Sequence, residues 1–264
     1  MLVGGAMSSR GPRFGAHDYP QVVPEPDEIV PGGPPPWAYV TEDARRSLPV
    51  ATVVARLRAS GRRVEDVAAP ALAELELVGD ARWRPSAVLV ALLDVVGEAH
   101  VILTRRSLTL RHHGGEIALP GGRRDGDEDP VATALREAHE EVGLDPGDVT
   151  PVAWLSPIAT VASDSAIWPV VATVRGAPAL RARTGEVDRV FTVALRDLLD
   201  DRVFLEERWR RASSLAGPGE FSPIYFFAVP GDLIWGATAR VLVELLTIAT
   251  GADAGSGVAR GSLQ

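Results

Sequence analysis

Residues 122–144 constrain this chain more than any other stretch, because they combine a glycine loop with a helix whose two ends are both marked. Asp129 can cap the N-terminus of the helix, and Pro130 suits its first turn, where no N–H donor is needed. Gly143 suits the left-handed residue that commonly ends a helix. At 3.6 residues per turn, apolar side chains share one face and three glutamates share the opposite face. The sequence therefore predicts an amphipathic helix directly after a glycine loop.

The three glutamates, Glu137, Glu140 and Glu141, are unfavourable neighbours on such a helix. Like charges three or four positions apart repel by a few tenths of a kcal/mol per pair. They also lie in the last turns, where the helix dipole disfavours negative charge by roughly 0.3–1 kcal/mol each. Arg136 can offset part of this by pairing with Glu140, but a divalent cation would offset far more, since hard cations prefer carboxylate oxygens. A solvated acidic face is the alternative interpretation, and these penalties count against it.

The same residues resemble the Nudix box, G-x5-E-x7-R-E-U-x-E-E-x-G-U, in which U is a bulky aliphatic residue. Every fixed position is filled, by Gly122, Glu128, Arg136, Glu137, Glu140, Glu141 and Gly143. Leu144 fits the last aliphatic position, while Ala138 is smaller than usual at the first. The resemblance implies an α/β fold, the Nudix-type α/β/α sandwich with a mixed β-sheet between helices. It also implies a hydrolase that cleaves a nucleoside diphosphate linked to another group.

The resemblance implies a role for each matching residue. Magnesium, or manganese in its place, would be bound by glutamates that also help to activate water: Glu137, Glu140 and Glu141. Arg136 would orient Glu140, and Glu128 would brace the loop. The carbonyl of Gly121 or Gly122 would add a metal ligand, which a glycine backbone permits through its close approach.

Upstream, residues 102–122 resemble the extra signature of the coenzyme A pyrophosphatase branch of the family, L-L-T-x-R-S-x3-R-x3-G-x3-F-P-G-G. Two positions depart from it, because Ile102 replaces the first Leu and Leu119 replaces the Phe. Residues 234–240 also resemble a segment of that branch. The resemblance implies that coenzyme A or a derivative is cleaved to 4′-phosphopantetheine and adenosine 3′,5′-bisphosphate. The substrate would be bound by Arg106, Arg111, Gly115, Gly121 and Gly122.

Arginine must supply any phosphate clamp, because the chain contains no lysine and all 27 of its basic residues are arginine. The planar guanidinium suits bidentate phosphate contacts, although ordinary surface arginines are the alternative interpretation of Arg106 and Arg111. The net charge of −8 argues against a nucleic-acid partner. The absence of cysteine excludes disulfides and thiol catalysis. The longest apolar run is too short for a membrane span, and the first residues lack the basic segment followed by an apolar segment that is typical of a signal peptide. We therefore expect no signal peptide, no membrane partner and a cytoplasmic location.

Glu186 precedes a β-rich stretch, and in Nudix enzymes an acidic residue from such a loop often completes the metal site or serves as the base. An exposed turn glutamate is the equal alternative. Asp188 and Asp164 are weaker candidates for the same role. The histidines near the glycine loop and on the acidic helix are interpreted as structural or solvent-facing, since lone histidines rarely act without a partner.

The pattern predicts three regions along the chain. Residues 1–46 read as a flexible tail rich in Pro and Gly, residues 47–250 as the Nudix domain, and residues 251–264 as a second flexible tail. Two interpretations of Trp37 and Tyr39 stay open: they pin the first tail to the domain, or they are incidental. Within the domain, further helices are predicted over 49–60, 195–200 and 237–249, strands over 87–94, 100–105, 149–155, 167–175 and 187–194, and a hairpin over 202–209 and 224–229.

Three functions remain open at this point. The first is the coenzyme A pyrophosphatase, and the second is a Nudix pyrophosphatase for ADP-ribose, NADH or nucleoside triphosphates. The third, of another class, is a non-catalytic Nudix module that binds a nucleotide and regulates; it usually shows a degraded box, whereas this box is whole. The oligomeric state is left open, with a homodimer as one of the alternatives.

Overall fold

The structure, a computed structural model, describes residues 19–64, 83–160, 164–183, 185–210 and 220–252. Within these ranges the strands are β1 (Glu28–Pro31), β2 (Arg84–Val95), β3 (Glu98–Arg106), β4 (Ile117–Ala118), β5 (Gly121–Arg123), β6 (Val149–Trp154), β7 (Ile158–Thr160), β8 (Ser165–Val174), β9 (Val187–Ala194), β10 (Phe204–Arg210), β11 (Phe221–Val229) and β12 (Asp232–Trp235). The helices are α1 (Glu42–Arg45), α2 (Val50–Ala59), α3 (Pro130–Val142), α4 (Leu195–Leu198) and α5 (Gly236–Thr250), with short 3-10 helices at Pro36–Tyr39 and Pro146–Asp148.

A mixed eight-stranded sheet forms the centre of the fold, in the order β4-β3-β2-β8-β6, with β5 paired to β2, β7 to β8 and β9 to β3. β2 runs parallel to β8, with Leu89 opposite Val170, and antiparallel to β3, with Leu92 opposite Val101. The nearly continuous apolar run of β2 follows from this position, because a central strand is covered on both of its faces.

The two faces of β2 pack against different helices. Leu89 and Ala91 share a core with Ala134 and Ala138 of α3. Alternate residues of the same strand, such as Leu92, share another core with side chains of α2 and α5. Because strand side chains alternate between faces, the sheet lies between α3 on one side and α2 and α5 on the other. The predicted α/β/α sandwich is confirmed.

A second, four-stranded sheet has the order β1-β10-β11-β12. Its centre is the predicted hairpin, since β10 and β11 pair antiparallel with Glu207 opposite Ile224. Residues 211–219, which join β10 to β11, lie outside the described residues. One side of this sheet contributes Phe204 and Phe227 to the core beneath α5, and the other side carries Trp209 and Phe226 in a smaller cluster.

The predicted flexible tail over residues 1–46 is wrong for the part from residue 28 to residue 40. β1 pairs with β10, with Val30 opposite Arg208. Trp37 has 0% exposure and lies against Phe204 at 5.2 Å and Phe227 at 6.2 Å between ring centroids. The prolines conceal this order, because they suppress periodicity while fixing the extended backbone that an edge strand uses.

The outer ends of both predicted tails, residues 1–18 and 253–264, lie outside the described residues. At the start of the predicted C-terminal tail, Gly251 ends α5 in the left-handed conformation, with φ 74°. None of the helices formed by the described residues is both long and apolar enough to cross a membrane.

Candidate active site

Helix α3 begins and ends at the residues that the sequence marks. The side chain of Asp129 accepts a hydrogen bond from the Ala132 N–H at 2.8 Å, and Pro130 is the first helical residue. Gly143 has φ 72°, and its N–H donates to the His139 carbonyl at 3.0 Å. The predicted helix is confirmed, but its three glutamates do not share one exposed face. Glu140 is exposed, whereas Glu141 is buried, because it lies about two turns from Ala134 and so on the same side of the helix.

The glycine loop lies directly against this helix. β5 pairs with β2, with Gly121 opposite Val88, and a Cβ atom on Gly121 would overlap the carbonyl of Ala87. A Cβ atom on Gly122 would overlap the carboxylate of Glu137. Gly121 is therefore required by the close approach of the β2 backbone, and Gly122 brings the loop backbone into contact with an acidic side chain.

Glu141 is the buried carboxylate of the site, with 7% of its surface exposed. It accepts a hydrogen bond from the Gly121 N–H at 3.1 Å. The pKa of Glu141 is raised to about 7, mainly by burial; the hydrogen bond from the Gly121 backbone acts to lower this pKa, and the nearby charge of Glu137 acts to raise it. Burial is also the main cause of the raised pKa of Glu137. Two carboxylates thus face each other where water is largely excluded.

Arg136 holds three of the acidic side chains together. Its Nε and Nη2 atoms donate to the two oxygens of Glu128 at 2.8 and 3.1 Å, and its Nη1 atom donates to Glu137 at 2.9 Å and Glu140 at 3.3 Å. The hydrogen bond from Arg136 is the largest cause that lowers the pKa of Glu128 to about 2. Glu128 also accepts from the Asp125 N–H at 3.3 Å, so it ties the loop to the helix.

The donor set fits a hard divalent cation. In the described part of the chain, no group of three or more His, Asp or Glu side chains is arranged to hold a metal ion. Arg136 donates hydrogen bonds to oxygens of both Glu137 and Glu140. The buried Glu141 carboxylate, with a second half-buried carboxylate nearby, nevertheless needs positive charge. Carboxylate oxygens are the ligands that magnesium and manganese prefer.

Glu186 and Arg106 lie at the edge of the same group. The Ser107 N–H donates to the Glu186 carbonyl at 2.7 Å, and Arg106 Nη2 lies 3.7 Å from Glu186 Oε2. Two smaller effects on the pKa of Glu141 come from this edge: the charge of Arg106 lowers the pKa, and the charge of Glu186 raises it. The structure therefore brings together two predicted site residues that are eighty positions apart.

The other two predicted substrate residues of this loop, Gly115 and Arg111, have fewer contacts with the site. Gly115 has φ 77°, and its N–H donates to the Arg106 carbonyl at 3.0 Å, so it shapes the loop that carries this arginine. Arg111 is exposed and makes no hydrogen bond or ion pair with the residues that the structure describes.

The weaker candidates have structural partners. Asp188 accepts a hydrogen bond from the Leu108 N–H at 3.1 Å, and the carbonyl of Asp164 accepts from the Arg84 N–H at 2.7 Å. His113 lies 3.1 Å from the Glu116 carboxylate, and His139 lies 3.2 Å from the Leu144 carbonyl. These contacts support the interpretation of both histidines as structural.

Sequence analysis missed the segment that closes over the end of α3. The N–H of Arg181 donates to the Val142 carbonyl at 3.1 Å, and that of Arg183 donates to the Glu141 carbonyl at 3.0 Å. The Arg183 side chain reaches the His139 carbonyl at 3.4 Å, so a cation lies at the negative end of the helix. An arginine forty positions from the helix gives no local signal for such a contact.

Comparison with known proteins decides the family. Residues 83–216, about half of the chain, match the family model of the NUDIX domain. This chain belongs to the Nudix family. The predicted membership in a family of hydrolases is confirmed, as is the Nudix fold.

Several relatives of this Nudix protein carry hydrolase names. Nudix hydrolase 22, chloroplastic, of Arabidopsis thaliana is 37% identical over 183 residues, which are 66% of this chain and 58% of the relative. The peroxisomal coenzyme A diphosphatase NUDT7 of Mus musculus is 39% identical over 122 residues, 46% of this chain and 51% of the relative. An uncharacterized Nudix hydrolase, NudL of Escherichia coli, is 34% identical over 164 residues, 61% of this chain and 81% of the relative.

The chain therefore spans less than two thirds of the length of the first two relatives. Among solved structures, the Nudix hydrolase RenU of M. smegmatis is 26% identical, with a TM-score of 0.39 over 44% of this chain and 74% of that chain.

Proposed function

We propose that the chain is a metal-dependent pyrophosphohydrolase whose substrate is coenzyme A or a derivative of it. The products would be 4′-phosphopantetheine and adenosine 3′,5′-bisphosphate. The observation that best supports hydrolase activity is the buried Glu141 carboxylate, which accepts a hydrogen bond from the Gly121 N–H and lies near Glu137 and its partner Arg136. A buried carboxylate with a raised pKa at the edge of a loop is unfavourable for stability, so we infer that it serves function.

Glu137, Glu140, Glu141 and the carbonyl of Gly121 would hold Mg²⁺, or Mn²⁺ in its place. Such a cation, when bound, supplies positive charge to the diphosphate oxygens and to the attacking water. Arg136 donates hydrogen bonds to oxygens of both Glu137 and Glu140 and so holds the two side chains on one side of α3. Gly121 and Gly122 let the diphosphate approach the loop backbone, because neither glycine carries a side chain there.

Glu186 is the proposed base. It lies on the segment that precedes β9, and its backbone is fixed by the hydrogen bond from Ser107. From there its carboxylate would take a proton from water as the oxygen attacks one phosphorus in line, while the other phosphate leaves with its organic group. Positioning and electrostatics then supply most of the rate.

Arg106 is the proposed phosphate ligand. Its Nε atom is buried and has no hydrogen-bond partner, and an unsatisfied buried donor is unfavourable by about 1–3 kcal/mol. A phosphate oxygen would satisfy this donor while the guanidinium stays near Glu186. Arg111, exposed on the same loop, and Gly115, which shapes the loop, complete the proposed substrate residues.

Coenzyme A is favoured by the match of residues 102–122 to the branch signature, and the printed name of the mouse relative agrees with it. ADP-ribose, NADH and nucleoside triphosphates are the alternative substrates. A non-catalytic regulatory module is the alternative of another class, and the fully occupied box opposes it. A cytoplasmic location, the absence of nucleic-acid and membrane partners, and the open choice between monomer and homodimer belong to the same proposal.

One experiment tests the proposal. The purified chain is incubated in the presence of Mg²⁺ with one substrate at a time: coenzyme A, dephospho-coenzyme A, ADP-ribose, NADH or a nucleoside triphosphate. The products are identified by mass. We expect 4′-phosphopantetheine and adenosine 3′,5′-bisphosphate from coenzyme A at the highest kcat/KM. Faster cleavage of another compound would overturn the proposal that coenzyme A is the substrate. Cleavage of none of the compounds would overturn the proposal that the chain is a hydrolase.

A further inference from the structure

A β-bulge lies where strands β3 and β9 reach the proposed active site. Arg105 pairs with Arg189, whereas Arg106 pairs with Val187. Asp188 is therefore the extra residue that the bulge inserts into β9. Bulges are frequent beside active sites, where the extra residue redirects the part of the strand next to it. The bulge thus decides how the end of β9 meets the end of β3.

The bulge shifts Glu186 by one residue relative to β3. A regular ladder continued from the Arg105 pair would place Glu186 opposite Leu108, about 3.3 Å further along the strand. With the bulge, Glu186 comes opposite Ser107, whose N–H donates to the Glu186 carbonyl at 2.7 Å. This register leaves the Glu186 carboxylate 3.7 Å from Arg106 Nη2.

The side chain of Asp188 fastens the bulge to the loop that follows β3. Its Oδ2 atom accepts a hydrogen bond from the Leu108 N–H at 3.1 Å. At the other end of the same loop, the Gly115 N–H donates to the Arg106 carbonyl at 3.0 Å. Because Asp188 is exposed, its replacement should leave the core packing intact.

The other side of the bulge is held by Asp232, whose carboxylate is 2% exposed. Arg105 Nε donates to Asp232 Oδ1 at 2.9 Å, and Arg189 Nη2 donates to Asp232 Oδ2. The pair of arginines next to the bulge is therefore fixed from the turn between β11 and β12. Loss of the Asp188 hydrogen bond would then act on the other side, the end of β9 that leads to Glu186.

We propose that Asp188 is a positioning residue of the active site: through its hydrogen bond to the Leu108 N–H, it holds the bulge that places Glu186 beside Arg106. This inference rests on the proposed function, in which Glu186 is the base and Arg106 binds phosphate, and Asp188 acts through both. It differs from the interpretation of Asp188 as a base or metal ligand, because it requires a hydrogen-bond acceptor at this position and no negative charge.

Two variants of Asp188 separate these roles, since Asp188→Asn keeps an acceptor oxygen and Asp188→Ala removes it. Asp188→Ala should lower kcat/KM for coenzyme A by roughly tenfold to a hundredfold, because a displacement of about 1 Å costs up to that much. Both constants should change, with a lower kcat from the displaced base and a higher KM from the displaced arginine. Asp188→Asn should recover most of the loss. Wild-type kinetics in Asp188→Ala, or an equal loss in both variants, would overturn the proposal.

Asp94→Ala is the matched control. Asp94 is also an exposed carboxylate that accepts from a backbone N–H, that of Gly97 at 2.8 Å, in the turn at the opposite end of β3. This variant removes the same kind of hydrogen bond from the same strand pair, so kcat and KM should stay within about twofold of the wild type. A loss of turnover equal to that of Asp188→Ala would show a general effect of loosening β3 and would overturn the specific role of Asp188.

Hydrogen exchange tests the geometry without any substrate. In Asp188→Ala, the N–H groups of Leu108 and Ser107 should exchange about tenfold faster than in the wild type, the equivalent of one hydrogen bond. Asp188→Asn should exchange more slowly than Asp188→Ala, and the Gly97 N–H should be unaffected in both. Unchanged exchange at Leu108 and Ser107 would overturn the proposal even if activity falls. If the wild type cleaves none of the compounds, the proposed function fails, whereas the exchange rates still confirm or overturn the part of Asp188 in fixing the bulge.

Discussion

Helix α3 and the N-terminal segment of residues 19–40 differ in where the information for their structure lies. The ends of α3 are fixed by its own neighbours, the Asp129 cap and the left-handed Gly143. The segment is fixed by distant residues, because Trp37 packs between Phe204 and Phe227 of the second sheet. Local chemistry can be read from a sequence, whereas a partner that lies far along the chain cannot.

The two regions also differ in what their buried side chains contribute. Trp37 buries a large apolar ring and stabilises the fold. Glu141 buries a carboxylate whose pKa is raised, so its ionised form opposes folding. We therefore expect mutations in the segment to lower the free energy of unfolding, and mutations on the acidic face of α3 to lower turnover.

Trp37→Ala should have the largest effect, a loss of about 3–5 kcal/mol in the free energy of unfolding, because it leaves a cavity where a whole indole ring was packed. Urea denaturation followed by fluorescence or circular dichroism measures this loss. Tyr39→Ala is the control, since Tyr39 is 90% exposed and should change stability by less than about 0.5 kcal/mol. A loss as small in Trp37→Ala as in Tyr39→Ala would show that the segment is the flexible tail expected from its prolines.

Glu141→Gln should reduce turnover at least about a hundredfold, equivalent to roughly 2.7–4 kcal/mol of transition-state stabilisation. Stability should not fall, because a neutral amide replaces a carboxylate that burial disfavours. Steady-state kinetics and urea denaturation on the same preparation give both quantities. Glu42→Gln, at an exposed glutamate of α1, is the control. Turnover within a few-fold of the wild type in a folded Glu141→Gln variant would refute the role of the buried carboxylate.

Arg106→Ala should raise the KM for coenzyme A by the equivalent of about 1.5–3 kcal/mol, the worth of a hydrogen bond to a charged group. Arg111→Ala should act in the same direction but less, because that side chain is exposed. Comparing coenzyme A with dephospho-coenzyme A shows whether either arginine contacts the 3′-phosphate. If both variants show wild-type kinetics on both substrates, the proposed role of the two arginines in phosphate binding is refuted, while the proposed hydrolase activity is not affected.

Much of the fold was predictable because its signals are local. The apolar run of β2, the caps of α3 and the glycine loop each depend on neighbouring residues, and each lies where the pattern places it. The second sheet was predictable only as a hairpin. Its outer strand β1 pairs with β10 across a long stretch of chain and lies in a proline-rich region without periodicity. The other outer strand, β12, follows β11 after a two-residue turn and is only four residues long.

The candidate site was predictable in its residue types but not in its contacts. The box motif indicates the glutamates, yet the division between the buried Glu141 and the more exposed Glu140 depends on the loop that covers the first. The approach of Arg106 to Glu186, and of Arg183 to the end of α3, depends on how the strands and loops fold together. Such distances follow from the tertiary structure alone.

The most direct test of the account is whether the acidic face of α3 binds a divalent cation. The melting temperatures of the wild type, Glu141→Gln and Glu42→Gln are measured with and without Mg²⁺ at constant ionic strength. A cation that binds the folded state stabilises it by RT ln(1 + [L]/Kd), so the wild type and Glu42→Gln should melt at a higher temperature with Mg²⁺. Glu141→Gln should lose most of that increase. An equal increase in all three proteins, or none in the wild type, would contradict the account.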